Sequence, residues 1–387
     1  MTGPSDYRGY FSDIAQRHGA LVVSQAIVAI ANTTANAFAM IYLLSVGFSY
    51  IECSVFLLVG FAAAMLMTTV FANLVVRDYA RSMVLGMCSM AAYYVLLIIL
   101  DGPALMLIPP VFLGIYIVMF WVPYNSVISR VTTEENRGTG IGVYFLVFPA
   151  VSTVGPLAGG MMIAYGSYDL LLSFGAVVIA ANIVFLLASR AFRGRNGTWN
   201  AGVVTDGSPL RFVREVDSKV RRGMFLEGVQ EGVFWMALSV LSFEYATDEA
   251  ELGGYLSLFA FWGALMTVAL GYLSDRIGDR VKILRISAAL TAVALVFCAL
   301  ASNSETYLTG MSFASFWLAV VPAFLFAMLV DRAKDSATRG MMGREFLLNS
   351  GRAVGLSVTV VLLLLDYDLS LSMAVAAAAI AAIVTVK

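Results

Sequence analysis

Long stretches without a charged residue are the feature that most constrains how this chain folds. Residues 19–51 contain no Asp, Glu, Lys or Arg, and similar runs recur along the rest of the chain. Of the 387 residues, 60% are hydrophobic and 13% are charged, which is about half the charged fraction of an average soluble domain. A single soluble core cannot bury that much apolar surface. The sequence therefore predicts an all-α polytopic membrane protein with a lipid-facing outer surface.

The charge-free runs also give the number of spanning helices, because one crossing needs about 20 apolar residues. Polar breaks divide the runs into twelve segments. The N-terminal residues lack the short apolar core and cleavage site of a removable signal, so the first run is interpreted as a membrane helix. We predict spanning helices at residues 19–45, 50–75, 82–100, 104–129, 139–165, 169–189, 223–246, 251–274, 282–301, 306–330, 343–365 and 369–386.

A polar stretch in the middle of the chain separates the first six segments from the last six. It predicts an N-terminal six-helix bundle over residues 1–189, a linker over 190–222 and a C-terminal six-helix bundle over 223–387. The sequence Asn136-Arg137-Gly138 after helix 4 is echoed by Thr338-Arg339-Gly340 after helix 10. This repeat, about half the chain apart, indicates that the two bundles are pseudo-symmetric.

Lysine and arginine alternate between the two ends of the predicted helices. The N-terminal segment, the linker and the loops after helices 2, 4, 8 and 10 carry them, whereas the alternate loops carry none. Basic loops face the cytosol in membrane proteins. We therefore expect a plasma-membrane protein with both termini in the cytosol.

The composition argues against several other classes of protein. A net charge of −1 gives no basic surface for nucleic acid. The three cysteines, Cys53, Cys88 and Cys298, lie far apart, and the single histidine is His18, so no metal site is expected. A phosphate-binding glycine loop with lysine is also missing from the sequence. We expect no enzymatic activity, no cofactor and a monomer embedded in the bilayer.

The loop after helix 8 carries the most specific motif. It reads Gly271-Tyr-Leu-Ser-Asp275-Arg276-Ile-Gly278-Asp-Arg280. The motif resembles the signature loop of the major facilitator superfamily, G-x-L-x-D-R-x-G-x-R/K. The resemblance implies an alternating-access transporter in which Gly271, Asp275, Arg276, Gly278 and Arg280 form a gating loop.

Helix 5 carries a second, partial resemblance. Its segment Gly155-Pro156-Leu-Ala-Gly159-Gly160 is similar to the end of the helix 5 motif of drug–proton antiporters in that superfamily. Small residues and a proline make a membrane helix pliable and allow close packing. The resemblance implies a hinge at Gly155, Pro156, Gly159 and Gly160, and it favours antiport and efflux.

Two glutamates near the start of helix 7 are the main candidates for ion coupling. Glu227 and Glu231 are four residues apart and Gln230 is three from Glu227, so all three share one face. An ionisable group inside a membrane is costly and is functional by default. Repulsion between two carboxylates and burial both favour a protonated carboxyl. We therefore expect Glu227 and Glu231 to bind the coupling proton.

Helix 11 carries a polar stripe at matching spacing. Glu345, Asn349 and Arg352 occupy positions i, i+4 and i+7 of one face. Arg352 lies roughly 12 Å beyond Arg344 along the helix, too deep to be solvated comfortably. It needs a carboxylate partner, and Glu227, Glu231 and Glu345 are the candidates. We expect an ion pair between helices 7 and 11, with static stapling as the alternative.

Polar and aromatic residues on other helices are candidates for the substrate cavity. Gln25, Asn32 and Asn36 share a face of helix 1 and suit either a polar substrate or hydrogen bonds between helices. The predicted cavity set comprises Gln25, Asn32, Asn36, Trp121, Tyr124, Asn125, Gln230, Trp235 and Asn349.

Together these features predict a secondary active transporter for a small molecule. Proton coupling and efflux of neutral or cationic amphiphiles are favoured. A facilitative uniporter for a polar solute, a non-transporting sensor or assembly protein and a lipid-moving protein are the alternatives. The degenerate loop after helix 2, which keeps only Asp78 and Arg81 of the signature, supports the non-transporting alternative.

Overall fold

The computed structural model describes residues 5–131, 147–189, 213, 216–274, 280–332 and 337–385. Within these ranges the chain forms membrane helices joined by short turns. Their bounds are α1 (Ser5–Thr34 and Ala39–Ser45), α2 (Tyr50–Thr69), α3 (Tyr79–Ile99), α4 (Gly102–Leu107 and Pro109–Val131), α5 (Val147–Ala164), α6 (Tyr168–Ala188), α7 (Ser218–Glu244), α8 (Glu249–Ser274), α9 (Arg280–Ala299), α10 (Ser304–Leu318 and Val320–Arg332), α11 (Ala337–Leu364) and α12 (Leu371–Ile383).

The prediction of an all-α membrane fold is confirmed. In the described part of the chain, 11 helices are long and apolar enough to cross a membrane, and α12 is a shorter apolar helix. Several helices begin earlier than predicted, and α3 and α7 show how this happens. Asp78 accepts a hydrogen bond from the Arg81 amide at the start of α3, and Asp217 accepts one from the Lys219 amide at the start of α7. These caps let a helix extend beyond its apolar run. Residues 132–146 and most of the predicted linker lie outside the described ranges.

The first helix is interrupted, which the sequence pattern did not predict. A 3-10 turn, Asn36–Phe38, separates its two segments. The turn follows the sequence Asn32-Thr-Thr-Ala, and Asn and Thr are weak helix formers. The Tyr93 hydroxyl donates to Asn36 Oδ1 at 3.0 Å. A side chain on α3 therefore binds the position at which α1 changes geometry.

Helices α7 and α11 run parallel and pack through reciprocal glycines. A Cβ on Gly228 or Gly232 would clash with the α11 backbone, and a Cβ on Gly351 or Gly355 would clash with the α7 backbone. Each helix thus carries a G-x-x-x-G pair that admits the other backbone. This close approach brings Glu231 and Arg352 to the same depth on adjacent helices.

Helices α5 and α8 form a close seam between the first six helices and the last six. Gly160 lies against the backbone of Glu249, and Gly253 lies against the backbone of Pro156. Leu157 donates its backbone N–H to the Ser257 hydroxyl at 3.0 Å. Gly155 and Gly159 face the other way, onto Thr33 and Thr34 of α1. The glycines of the α5 motif therefore support two separate close contacts.

The two ends of the helices carry opposite charge. At the basic end, described lysine and arginine residues flank α2, α3, α7, α9 and α11. The loops at the opposite, acidic end lie wholly within the described residues and contain no Lys or Arg. The carboxylates at this acidic end are Glu52, Asp101, Asp169, Glu244, Asp248, Glu249, Glu251, Glu305, Asp366 and Asp368.

The glycine packing predicts a large stability difference between two matched substitutions. Gly232→Val should destabilise the protein by about 1–3 kcal/mol, because its side chain must displace the α11 backbone. Gly254→Val is the control, since a Cβ on Gly254 meets no atom within 4 Å. The apparent Tm of the purified detergent-solubilised variants is the measurement. Equal losses for both would show that the α7–α11 approach is not tight.

Candidate functional site

A charged hydrogen-bonded pair joins α7 to α11 inside the membrane region. Arg352 donates from Nε at 2.8 Å and from Nη2 at 2.6 Å, and both bonds end on Glu231 Oε2. The Arg352 side chain is 10% exposed and that of Glu231 is 26% exposed. Charge-assisted bonds of this length are strong and fix geometry. Among the described residues, Glu231 Oε1 accepts no hydrogen bond, so half of this carboxylate stays available.

Two aromatic rings lie on the Arg352 guanidinium. Its carbon atom is 5.5 Å from the centroid of Phe61 on α2 and 5.8 Å from that of Trp235 on α7. The two rings meet edge to face with centroids 5.6 Å apart. These distances suit cation–π attraction. Phe61 belongs to the first six helices and Arg352 to the last six, so the contact crosses between the two sets.

Asn349 orients Arg352 from one turn away. Its Oδ1 accepts from Arg352 Nη1 at 3.0 Å, and its Nδ2 donates to the Glu345 carbonyl at 2.6 Å. Asn349 is fully buried. The guanidinium is therefore held by the Glu231 carboxylate on one side and the Asn349 amide on the other.

A second charged group lies one turn closer to the basic end. Arg344 pairs with Glu345 at 2.9 Å and lies 3.7 Å from Glu227 Oε1. Glu227 is 1% exposed, and neither of its carboxyl oxygens accepts a hydrogen bond from a described residue. A buried charge without hydrogen bonds is costly. Glu227 is thus the least satisfied member of the group.

The described residues of this cluster carry an excess of negative charge. Three carboxylates (Glu227, Glu231 and Glu345) lie with two guanidiniums (Arg344 and Arg352), which leaves one negative charge among the described residues when all five are ionised. One bound proton brings the cluster to neutrality. Neutrality matters here because an uncompensated charge in a low-dielectric interior is expensive.

The polar residues of α1 bind tyrosines on neighbouring helices. The Tyr124 hydroxyl donates to Gln25 Oε1 at 2.6 Å, and Asn32 Nδ2 donates to the Tyr116 hydroxyl at 2.8 Å. Together with the bond from Tyr93 to Asn36, each amide joins α1 to α3 or α4. This arrangement favours the interhelical alternative for these residues. Asn32 and Asn36 are nevertheless half-buried.

The other predicted cavity residues divide by burial. Trp121 is half-buried and meets Phe120 and Tyr124 edge to face. Asn125 and Gln230 are buried. Trp235 and Asn349 contact Arg352 directly, so two members of the predicted cavity set lie at the ion pair.

Most of the predicted gating loop cannot be placed. Asp275, Arg276 and Gly278 lie outside the described residues. Gly271 lies in the last turns of α8, and Arg280 is the first residue of α9. In the described part of the chain, no group of three His, Cys, Asp or Glu side chains is arranged to hold a metal ion.

Two site residues were missed by sequence reasoning. Phe61 lies in an unbroken apolar run and carries no signal that it faces an arginine on α11. Arg344 is visible as a charge at the start of a helix, but its bridging of Glu345 and Glu227 depends on how α7 and α11 pack.

The α7–α11 ion pair predicts a specific pattern of stability losses. Glu231→Gln and Arg352→Gln should each cost on the order of 3 kcal/mol, because each leaves a largely buried partner uncompensated. The double variant should lose less than the sum of the two, as measured by the apparent Tm in detergent. Arg81→Gln is the control, since Arg81 pairs with Asp78 at an exposed position. Additive losses at 231 and 352 would contradict the pairing.

Comparison with known sequences identifies relatives over part of the chain. Two of them are described as uncharacterized MFS-type transporters, one from Yersinia pestis and one from Yersinia pseudotuberculosis. Each is 25% identical over 173 residues. The match covers 45% of this chain and 44% of each relative, less than half of either.

Solved structures share the fold over nearly the whole chain. The human organic anion transporter MFSD10 matches with a TM-score of 0.68 at 15% identity, covering 95% of this chain and 98% of that one. The Escherichia coli fucose:proton symporter FucP matches with a TM-score of 0.66 at 12% identity, covering 94% and 96%. A bacterial homologue of the iron transporter ferroportin, in an outward-facing state, gives 0.65 at 14% identity, covering 95% and 97%.

A family model gives the broadest match. The model described as Major Facilitator Superfamily matches residues 21–213 and 223–387, which together are most of the chain. The helical architecture and the structural neighbours agree with it. The resemblance inferred from the loop after α8 is therefore confirmed, and the chain belongs to the Major Facilitator Superfamily.

Proposed function

We propose that this membrane transporter works by proton-coupled alternating access, with Glu231 and Arg352 as the coupling pair. The observation that carries the proposal is the α7–α11 ion pair beneath Phe61, an aromatic residue of the first six helices. Charge at this point is costly in a membrane. A change in the charge of the pair would therefore affect a contact between the two sets of six helices. We propose that these two sets move as two bundles.

Contacts at both ends of the molecule fit this cycle. At the acidic end, Tyr50 donates to Glu244 at 3.0 Å and Tyr168 donates to Glu249 at 2.9 Å. At the basic end, the hydroxyls of Tyr79 and Thr338 are hydrogen-bonded. All three bonds join the first six helices to the last six. Opening either end requires its own bonds to break, as alternating access demands. The positive-inside rule supports a cytosolic basic end and cytosolic termini.

Proton binding to Glu231 would change the hydrogen bonds that this carboxylate accepts from Arg352. A proton on Glu231 removes its charge and weakens both bonds from Arg352. Arg352 then has Asn349 and the two aromatic rings as its remaining partners. Among the described residues, Arg352 pairs with Glu231, and Glu227, Arg344 and Glu345 are the neighbouring charged groups on α7 and α11. Binding of a proton and binding of substrate would compete for the same carboxylate.

The net negative charge of the cluster favours neutral or cationic substrates over anions. The resemblance of α5 to the helix 5 motif of drug–proton antiporters favours export. The glycines of this motif in α5 pack closely against α1 and α8. The names of the fold neighbours cover an organic anion, fucose with protons, and iron. The shared fold therefore does not select a substrate, and the choice rests on the charges of this chain.

A facilitative uniporter for a polar solute is the second candidate. The half-buried amides of Asn32 and Asn36 support it, because each keeps hydrogen-bonding capacity beyond its tyrosine partner. Such a carrier would need no titrating carboxylate. Its transport would not respond to a pH gradient, whereas the transport proposed above would.

The coupling proposal predicts a loss of proton movement in one variant. In proteoliposomes containing a trapped pH dye, wild type should move protons when a transported compound from a diverse panel is added. Glu231→Gln should abolish this signal, because glutamine cannot exchange a proton, while still folding and reconstituting. Glu305→Gln, at an exposed position on the acidic end, should behave as wild type. Transport by Glu231→Gln with an unchanged pH profile would refute the coupling role.

A further inference from the structure

We propose that the substrate is an organic cation whose guanidinium or ammonium group takes the place of the Arg352 guanidinium, against Glu231 and the faces of Phe61 and Trp235. The inference deepens the proposed function and depends on it for transport, though not for binding. In this proposal the Arg352 guanidinium fills the cation site when no substrate is bound, and we call it the internal occupant of that site.

The surroundings of the Arg352 head group have the composition of a cation site. One carboxylate supplies the counter-charge, through Glu231 Oε2. Two aromatic faces, Phe61 and Trp235, lie 5.5 Å and 5.8 Å from the guanidinium carbon. A carboxylate combined with aromatic rings is how proteins bind ammonium and guanidinium ligands. The partial exposure of Glu231 and its open Oε1 leave a point of entry.

Arg352 has a second carboxylate to move to when it leaves this position. Glu227 lies one turn away on the same face of α7, and Arg352 is one of the charged groups whose field acts on it. Both oxygens of Glu227 lack hydrogen bonds from described residues. Transfer of Arg352 from Glu231 to Glu227 would satisfy that carboxylate. The cluster would then hold a substrate cation without leaving either guanidinium unpaired.

Charge at the acidic end provides independent support. The loops at that end carry carboxylates and no Lys or Arg. A surface of one sign raises the local concentration of oppositely charged solutes and disfavours solutes of its own sign. The acidic end therefore presents no electrostatic barrier to an organic cation that leaves by it, whereas it disfavours an anion.

The arrangement also argues against an anionic substrate at this position. All three nitrogens of the Arg352 guanidinium already donate to Glu231 or Asn349. An incoming anion would have to displace a carboxylate held on a neighbouring helix. A cation needs only to displace a tethered guanidinium, and Glu227, one turn along α7, is the alternative carboxylate for that guanidinium.

The test compares two probes of nearly equal shape, benzylguanidinium and the uncharged benzylurea, on purified full-length wild type. Ligand binding to the folded state raises its apparent Tm, and sodium chloride keeps the ionic strength equal. We expect benzylguanidinium to raise the apparent Tm and benzylurea to leave it unchanged. Equal shifts from the two probes, or no shift from benzylguanidinium, would overturn the proposal.

Variants then locate the site. Phe61→Leu and Trp235→Leu should each weaken the response to benzylguanidinium, and Glu231→Gln should abolish it. Phe56→Leu is the matched control, because Phe56 lies on the same helix, is equally buried and packs on Tyr93 instead. An unchanged response in both Phe61→Leu and Trp235→Leu would refute the site.

Removal of the internal occupant separates this role from a purely structural one. Arg352→Gln should lower the concentration of benzylguanidinium for half-maximal stabilisation by about tenfold, because no tethered guanidinium then competes. A merely structural arginine would weaken binding when removed, which would count against the proposal.

Two further outcomes distinguish this inference from the proposed function. If benzylguanidinium binds as predicted but no pH gradient drives its flux in proteoliposomes, the cation site stands and proton-coupled transport fails. If a neutral compound is transported with dependence on Glu231 while benzylguanidinium does not bind, proton coupling stands and the cation site fails.

Discussion

The structure depends on one charged contact in an apolar environment, the pair between Glu231 and Arg352. Lipid offers no solvation for either group, so each requires the other at hydrogen-bond distance. The close packing of α7 on α11 places the two side chains at that distance. The reciprocal glycines provide the approach, and the second group around Arg344 extends the same face toward the basic end.

Near the ion pair, the contacts within the last six helices differ in kind from those between the two sets of helices. Helices α7 and α11 are joined by backbone packing and charge-assisted bonds. Across the two sets, the contacts near the site include the Phe61 ring on the Arg352 guanidinium and on Trp235, and the Ser350 hydroxyl on the Met65 sulfur. Such contacts are weaker and less directional. The pair can therefore stay intact within one set while its aromatic cover is exchanged.

Much of the fold and part of the candidate site could be predicted from the sequence. The features that could not be predicted depend on how the helices pack. The membrane helices were predictable because the bilayer thickness sets the length of each apolar segment. The alternation of loop charge was predictable because basic loops face the cytosol. An α7–α11 pair was predictable because Arg352 lies too deep to remain without a partner. Its choice of Glu231 over Glu227 depends on helix rotation, which a one-turn spacing does not determine. Phe61 and the break in α1 arise from contacts between helices distant in sequence, and periodicity carries no information about those.

The hydrogen bond beside the proline of α5 has a consequence for how easily α5 and α8 can separate. Pro156 lies beside Leu157, whose backbone N–H is taken up by Ser257 on α8. Separating α5 from α8 would leave that donor unpaired in lipid, at a cost of several kcal/mol. Separation of α5 from α8 at this point would therefore be costly, whatever movement the remaining helices make.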